Sequence, residues 1–227
     1  MKVKKEEELD RAFILTPTDL HKICRYFDKE HNFIFKAGCA DKTVRDFTSI
    51  DELIKFDNVP KKEIESLGIN VYSKDYKKTM FIHFSKTTYK NILVKIEGED
   101  EDVSKFREFL EERFYEMKPW YGFICIPKYR VFIVDMLLLL IFSIPFNLFL
   151  NHLLPHSFTN SAAIGLFFGV IFMWIWANIK RTMFPTGVFA IGQGIKRNED
   201  KDKVRTTIVI SFLVSLITGI IVAIIFG

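Results

Sequence analysis

Three long apolar runs in the second half of the chain constrain its fold more than any other feature. They cover residues 131–154, 162–179 and 206–226, and a helix that crosses a membrane needs about 20 mostly apolar residues. The sequence therefore predicts a three-helix transmembrane domain in residues 131–227. Residues 1–118 instead contain 23 Lys or Arg and 24 Asp or Glu, which is typical of a water-soluble domain with one hydrophobic core.

The positions of Lys and Arg predict the orientation of these runs. Lys128 and Arg130 precede the first run, residues 155–161 contain no Lys or Arg, and the connector of residues 180–205 contains seven. Because loops rich in Lys and Arg stay on the cytoplasmic side, we expect a multi-pass protein of the inner (cell) membrane, with its N-terminus in the cytoplasm and its C-terminus outside. Residues 119–130, which are rich in aromatic side chains, would then form an interfacial linker.

Several polar residues interrupt the first apolar run, among them Asp135, Asn147 and Asn151. Asp135 lies near the predicted cytoplasmic edge, and Asn147 lies in the outer half. A carboxylate within a membrane is costly unless it is paired or hydrated. Asp135 therefore either forms an ion pair with Lys180, Arg181 or Arg205, or belongs to a ring of carboxylates at the mouth of an oligomeric pore. Asn147 either hydrogen-bonds to a neighbouring helix or faces a water path.

Small residues recur at four-residue intervals in the second and third runs. Such stripes let helix backbones approach closely. We expect tight helix contacts at Gly165, Gly169, Ser211, Ser215, Gly219 and Ala223. Because three helices alone cannot enclose a wide water path, a conducting role requires a homo-oligomer around a symmetry axis.

The connector contains the stretch FPTGVFAIGQGIKR, residues 184–197, which allows two interpretations. In the first, it forms a hairpin at the membrane surface, and Phe184, Phe189 and Ile191 enter the headgroup region. In the second, it binds a phosphate group through the backbone N–H groups of two glycines and the charges of three basic side chains. The residues of this second hypothesis are Gly192, Gly194, Arg181, Lys196 and Arg197. Repeated in an oligomer, these basic residues would suit a polyanion such as an oligonucleotide.

The N-terminal part shows alternating and helical patterns that predict an α+β domain with a mainly antiparallel sheet. The predicted strands are residues 11–16, 32–38, 42–48, 69–75, 79–86 and 91–99, and the predicted helices are residues 16–30, 49–58, 60–68 and 100–117. In the last helix the apolar spacing places Val103, Phe106, Leu110 and Phe114 on one face.

No catalytic or metal-binding pattern is recognisable in the sequence. It contains no glycine-rich phosphate loop, no HExxH and no nucleophile motif. The cysteines Cys24, Cys39 and Cys125 lack the close spacing of a zinc site or of a disulfide framework. We therefore expect a protein that is not an enzyme and that uses neither a metal nor a cofactor.

The layout as a whole resembles a known class of proteins. A cytoplasmic α+β domain, three C-terminal apolar runs and the basic stretch FPTGVFAIGQGIKR are similar to membrane effectors of bacterial antiphage systems, in particular the membrane subunit of the Hailong system. The resemblance implies a homo-oligomeric, ion-channel-like protein that a single-stranded DNA oligomer holds shut. It also implies a partner nucleotidyltransferase that makes this oligomer, and it transfers no functional residue to this chain.

The sequence thus predicts a homo-oligomeric gated ion channel or pore-like membrane effector in bacterial antiphage (antiviral) defence, in contact with membrane lipids. Its control would come from an anionic nucleotide or oligonucleotide ligand, or from a partner protein. The alternative is a membrane-anchored adaptor or sensor whose cytoplasmic domain binds a protein partner.

Overall fold

The computed structural model describes residues 2–27, 31–73, 78–86, 90–125, 171, 174–180 and 182–226. The strands of this part are β1 (Lys2–Leu9), β2 (Phe13–Leu15), β3 (His31–Cys39), β4 (Val44–Phe47), β5 (Ile64–Ser73), β6 (Thr79–Ser85), β7 (Ile92–Glu99) and β8 (Gly187–Phe189). The helices are α1 (Pro17–Tyr26), α2 (Ile50–Lys55), α3 (Asp100–Glu116), α4 (Gly122–Cys125) and α5 (Gln193–Phe226), and residues 174–180 are also helical. A 3₁₀ turn covers Pro60–Lys62.

Six of the strands form one antiparallel sheet in the order β1-β7-β6-β5-β3-β4. The predicted antiparallel α+β domain is therefore confirmed. Strands β5, β6 and β7 follow one another as a meander. Strand β1, the first of the chain, pairs with β7 along its whole length, from Lys2 opposite Glu99 to Leu9 opposite Ile92.

The hydrophobic core lies between one face of this sheet and helices α1, α2 and α3. Helix α3 contributes the four side chains that its spacing predicted, which are all buried: Val103, Phe106, Leu110 and Phe114. They belong to the same cluster as Ile82 and Val94 of the sheet. Each buried side chain of this size stabilises the fold by roughly 1.5–3 kcal/mol relative to an exposed one.

Helix α1 lies within the predicted helical stretch of residues 16–30. Thr16 is its N-cap, and its hydroxyl accepts a hydrogen bond from the backbone N–H of Asp19 at 3.2 Å. The Asp19 carboxylate accepts the Thr16 backbone N–H in return at 3.0 Å, which completes a capping box, and Pro17 occupies the first turn.

Two stretches of the N-terminal half differ from the prediction. Residues 2–9 form strand β1, although their sequence, KVKKEEEL, shows few β-forming residues. As an edge strand, β1 tolerates charge on both faces. Residues 60–68 were expected to form a helix, but only the 3₁₀ turn Pro60–Lys62 is helical, and Ile64 begins strand β5.

The connector stretch also departs from the prediction, because it is folded into the α+β domain. Strand β8 pairs in parallel with β2, with Gly187 opposite Phe13 and Phe189 opposite Leu15. Phe189 and Ile191 are 1% and 0% exposed and belong to the main core. The interpretation of this stretch as a hairpin in a headgroup region is therefore wrong.

Among the described residues, no helix is both long enough and apolar enough to cross a membrane. This finding contradicts the predicted three-helix transmembrane domain, and with it the multi-pass inner-membrane location and the ion-channel interpretation. The run 206–226 is the second half of α5, a 34-residue helix whose first turns pack on the α+β domain. It is thus the continuation of a domain helix. The run 131–154 and most of the run 162–179 lie outside the described residues.

Candidate functional site: an open sheet face

A buried asparagine holds the connector against the α+β domain. Asn58 is 0% exposed, and its Nδ2 donates hydrogen bonds to the carbonyl oxygens of Phe189 and Ile191, both at 3.1 Å. Its Oδ1 accepts the backbone N–H of Ile64 at 2.8 Å. One side chain therefore ties together the α2–β5 loop, the start of β5 and the segment that leads into α5.

The two glycines of the phosphate hypothesis lie against this same loop. Gly192 has a positive φ of 53°, and a Cβ atom there would lie 2.2 Å from the carbonyl oxygen of Phe56. The backbone N–H of Gly194 donates to the carbonyl of Ile191 at 2.9 Å. A Cβ atom at Gly194 would lie 2.5 Å from the carbonyl oxygen of Phe189. In the structure both glycines serve close backbone packing, and phosphate binding here stays a prediction.

The structure places Arg197 beside a half-buried carboxylate. Its Nη2 lies 2.8 Å from the Oε1 atom of Glu63, which also accepts a hydrogen bond from Lys86. Burial alone would raise the pKa of Glu63, but the hydrogen bond from Lys86 and the charges of Lys86, Arg197 and Lys201 outweigh this effect and lower the pKa. Lys196, the other described basic residue of the hypothesis, is exposed on α5. Arg181 lies outside the described residues.

A buried arginine fastens α5 on its other side. Arg205 is 0% exposed, donates a hydrogen bond from Nε to the carbonyl of Met183, and stacks on the ring of Tyr121 at 4.5 Å. Its Nη1 lies 3.5 Å from Asp202, which accepts a hydrogen bond from the indole of Trp120 at 2.9 Å. Burial raises the pKa of Tyr121 to about 12, so its hydroxyl stays protonated at neutral pH. Tyr121, expected in an interfacial linker, is thus part of this buried cluster.

The remaining predicted residues divide into two groups. Asp135, Asn147, Gly165 and Gly169 lie outside the described residues. Ser211, Ser215 and Gly219 lie on α5 and are exposed, and Ala223 lies in the last turn of α5. A Cβ atom at Gly219 would meet nothing within 4 Å, so the predicted close contact is not made within the described part of this chain.

The face of the main sheet opposite the helices, here called the open face, was not predicted as a site. Antiparallel sheets with one solvated face normally alternate apolar inward and polar outward residues. On the open face the central strands instead carry Ile34, Tyr72, Phe81 and Leu93. Ile34 is 39% exposed, and the other three are partly exposed.

The register of the strands brings these side chains together around Phe81. Phe81 is paired with Asn70, which is paired with Ile34, while His83 of the same strand is paired with Leu93. The Phe81 ring lies nearly parallel to that of His83, with centroids 5.9 Å apart and an interplanar angle of 16°.

Gly68 provides the space for the Phe81 ring. A Cβ atom at Gly68 would lie 3.3 Å from Cε2 of Phe81 and 3.8 Å from Nδ1 of His83. The rings therefore lie against a strand position without a side chain. Partial burial also lowers the pKa of His83, so the imidazole is neutral at physiological pH and adds to the uncharged centre of the open face.

The charged residues around this centre are largely paired with each other. Lys95 lies 2.9 Å from Glu6 across β7 and β1, and Lys36 lies 3.8 Å from Asp46 across β3 and β4. Such exposed pairs contribute little to stability. They do leave the rim of the open face close to electrical neutrality, without the basic surplus that a nucleic acid would require.

A sequence signal for the open face exists in the strands themselves. The stretches NFIFKAG, TMFIHFS and NILVKIE have apolar residues at both alternating positions, which indicates apolar side chains on both faces of the sheet.

No protein family, curated protein or solved structure matches the chain.

Proposed function

We propose that this protein is a non-catalytic adaptor that binds a different protein through its open face. The observation that carries the proposal is the apolar centre formed by Ile34, Tyr72, Phe81 and Leu93 at positions where a solvated sheet carries polar residues. Aromatic residues at the centre of a surface, with polar residues at its rim, are typical of protein interfaces.

The electrostatics of the open face support a protein as the partner. The neutral centre and the paired rim would not attract a phosphate backbone, whose binding needs several unpaired Lys or Arg. A protein partner with an apolar patch would instead remove the rings of Tyr72 and Phe81 from water. Such anchors typically dominate the binding free energy of an interface.

Cross-linking from the open face tests this proposal. A photoreactive benzoylphenylalanine in place of Phe81 should capture one discrete protein in living cells. Tyr115, which is 77% exposed on α3, provides the matched control position, because it lies away from the open face. The captured protein, identified by mass spectrometry and purified, should bind the wild type directly. It should bind the Leu93→Glu variant at least about tenfold more weakly, since a charge in an apolar interface costs more than 1.4 kcal/mol.

Three results of this experiment would contradict the adaptor proposal. The first is the absence of any adduct from position 81. The second is the same set of adducts from positions 81 and 115, which would indicate unspecific collisions. The third is an adduct with a second copy of this chain, which would assign the open face to self-association.

Self-assembly remains part of the proposal, and α5 supports it. Beyond the domain, α5 exposes large apolar side chains that no described residue covers, among them Ile210, Val214 and Ile217 at 55–56% exposure. Exposed apolar side chains in such a continuous series usually meet a partner. A second copy of α5 fits this role, because Ser211, Ser215 and Gly219 lie four residues apart and would let two helices approach closely.

The Gly219→Leu variant tests this contact. Wild type should have a native mass of two or more chains of 26.6 kDa each. Gly219→Leu should shift the mass toward the monomer, because the larger side chain separates the helices. Gly219→Ala keeps a small residue and should assemble like wild type. If wild type is monomeric, or if both variants keep its mass, α5 does not mediate self-assembly in the proposed way.

A further inference from the structure

A cleft of about 220 Å³ opens at one end of the main sheet, on the helix side, between α1 and α3. Its floor is apolar and buried and includes Val71, Ile96 and Val103, which are at most 7% exposed. A concave, mainly apolar site with a few convergent polar groups is the usual form of a small-molecule site. The cleft is separate from the open face, because Val71 and Ile96 point to the side of the sheet that is covered by α3, the helix of Val103.

Aromatic rings form one wall of the cleft. Phe27 and Phe106 have centroids 5.2 Å apart, and Tyr26 lies 5.4 Å from Phe106. Tyr26 is 40% exposed and stacks on Phe109 at 4.2 Å, so its ring is held at the cleft entrance. The negative faces of such rings attract cations. This wall is also the C-terminal end of α1, where the helix dipole favours positive charge.

The charged residues at the cleft also favour a cationic ligand. The carboxylate of Asp102 lines the cleft and lies 2.6 Å from the ammonium of Lys78. Glu97 alternates with Ile96 along β7, so its side chain lies on the open-face side of the sheet. Helix α3 begins beside the cleft with the run Asp100, Glu101 and Asp102. These acidic residues offset the positive end of the α3 dipole and would repel an anionic ligand.

A hydrogen-bond acceptor is also available. His31 lines the cleft, and its Nδ1 is buried without a hydrogen-bond partner among the described residues. A buried polar atom without a partner costs about 1–3 kcal/mol. A ligand with an N–H group would remove this cost, whereas a quaternary ammonium ion would not.

We propose that this cleft binds a small organic cation, a protonated amine attached to an apolar group. The apolar group lies on Val71, Ile96 and Val103, and the ammonium lies between the rings of Tyr26 and Phe27 and the carboxylate of Asp102. One N–H of the ammonium donates to Nδ1 of His31.

Binding of three probes that share a phenylethyl group and differ in charge tests the proposal on the full chain. The probes are 2-phenylethylamine, which is cationic at neutral pH, 2-phenylethanol, which is neutral, and 3-phenylpropionate, which is anionic. Isothermal titration and NMR shift changes should show the amine binding most tightly. The expected preference over the anion is about tenfold or more, the size of one favourable cation–π contact combined with one ion pair.

Two matched substitutions on α3 locate the binding site. Asp102→Asn removes a carboxylate that lines the cleft and should reduce amine binding by about tenfold. Glu101→Gln removes its neighbour, which pairs with Lys105 at 2.6 Å and does not line the cleft, and should leave amine binding unchanged. Glu101 is exposed and Asp102 is partly exposed, and equal unfolding temperatures would show that both variants fold.

Three outcomes of these binding experiments would contradict the proposal. Equal affinity for the three probes would show an apolar cleft without charge preference and would overturn the proposal. Absence of binding by every probe at millimolar concentration would overturn it as well. Equal loss of amine binding in Asp102→Asn and Glu101→Gln would indicate a general charge effect outside the cleft, which also contradicts the proposed site.

Discussion

Replacement of Asn58 by Ala should lower the free energy of unfolding by about 4 kcal/mol, one of the largest effects expected of a single substitution in this chain. Asn58 is fully buried and satisfies three backbone groups, the carbonyls of Phe189 and Ile191 and the N–H of Ile64. Alanine would leave the Phe189 carbonyl and the Ile64 N–H without this partner, whereas the Ile191 carbonyl would keep its hydrogen bond from the N–H of Gly194. Each buried group that loses its partner costs about 1–3 kcal/mol.

The backbone of Asn58 adds a second contribution. Its φ is 45°, in the left-handed region, which asparagine adopts more readily than alanine. Asn58→Gly separates the two contributions, because glycine adopts this φ without strain but makes no side-chain hydrogen bond. We expect the free energy of unfolding of Asn58→Gly to be about 1 kcal/mol higher than that of Asn58→Ala. It should still be well below that of wild type.

Urea unfolding of the full chain measures these differences. Asn32, which is exposed on β3, provides the matched control, and Asn32→Ala should change the free energy of unfolding by less than about 1 kcal/mol. If the urea midpoint of Asn58→Ala equals that of wild type, the hydrogen bonds of the Asn58 side chain do not stabilise the packing of the connector.

Much of the main sheet and its helices could be predicted because local patterns and tertiary burial agree there. Helix α3 shows this agreement, since the spacing of Val103, Phe106, Leu110 and Phe114 matches a single buried face. The capping residues Thr16 and Asp19 act on their own helix, so their role is visible within four residues of sequence.

The parts that could not be predicted depend on contacts distant in sequence. Strand β1 has a charged sequence and forms because β7 offers it a hydrogen-bonding edge about 90 residues away. The short apolar stretch at β8 looked like a surface anchor, because its partner, β2, lies far away along the chain. Neither pairing leaves a signal in a local window of residues.

The apolar runs show the opposite limitation. An apolar run such as 206–226 indicates a helix whose side chains are shielded from water. The hydrophobic effect is non-directional, however, so the run does not specify whether lipid or protein covers the helix. The membrane interpretation inferred a lipid environment from the length of the apolar run. It missed that α5 starts earlier, at Gln193, and that Arg205 is buried against Tyr121.

The second large effect is expected at Gly192, where the same residue has two competing explanations. If Gly192 is required for close packing, Gly192→Ala should lower the free energy of unfolding by about 3–5 kcal/mol. Its positive φ of 53° costs an alanine about 1–2 kcal/mol. In addition, the new Cβ would lie 2.2 Å from the carbonyl oxygen of Phe56 and 3.0 Å from the carbonyl carbon of Asp57, both backbone atoms, so the loop or the start of α5 must shift.

Gly219→Ala is the matched control for this substitution, and its expected effect has the opposite sign. Gly219 is helical and exposed, and its Cβ would meet nothing within 4 Å, so alanine should stabilise α5 by up to about 1 kcal/mol through helix propensity. Urea unfolding of both variants measures the contrast, and proteolysis should cut Gly192→Ala faster near the β8–α5 junction. If Gly192→Ala instead unfolds like wild type but weakens the binding of a single-stranded oligonucleotide at low salt, Gly192 serves a phosphate group and the packing explanation is wrong.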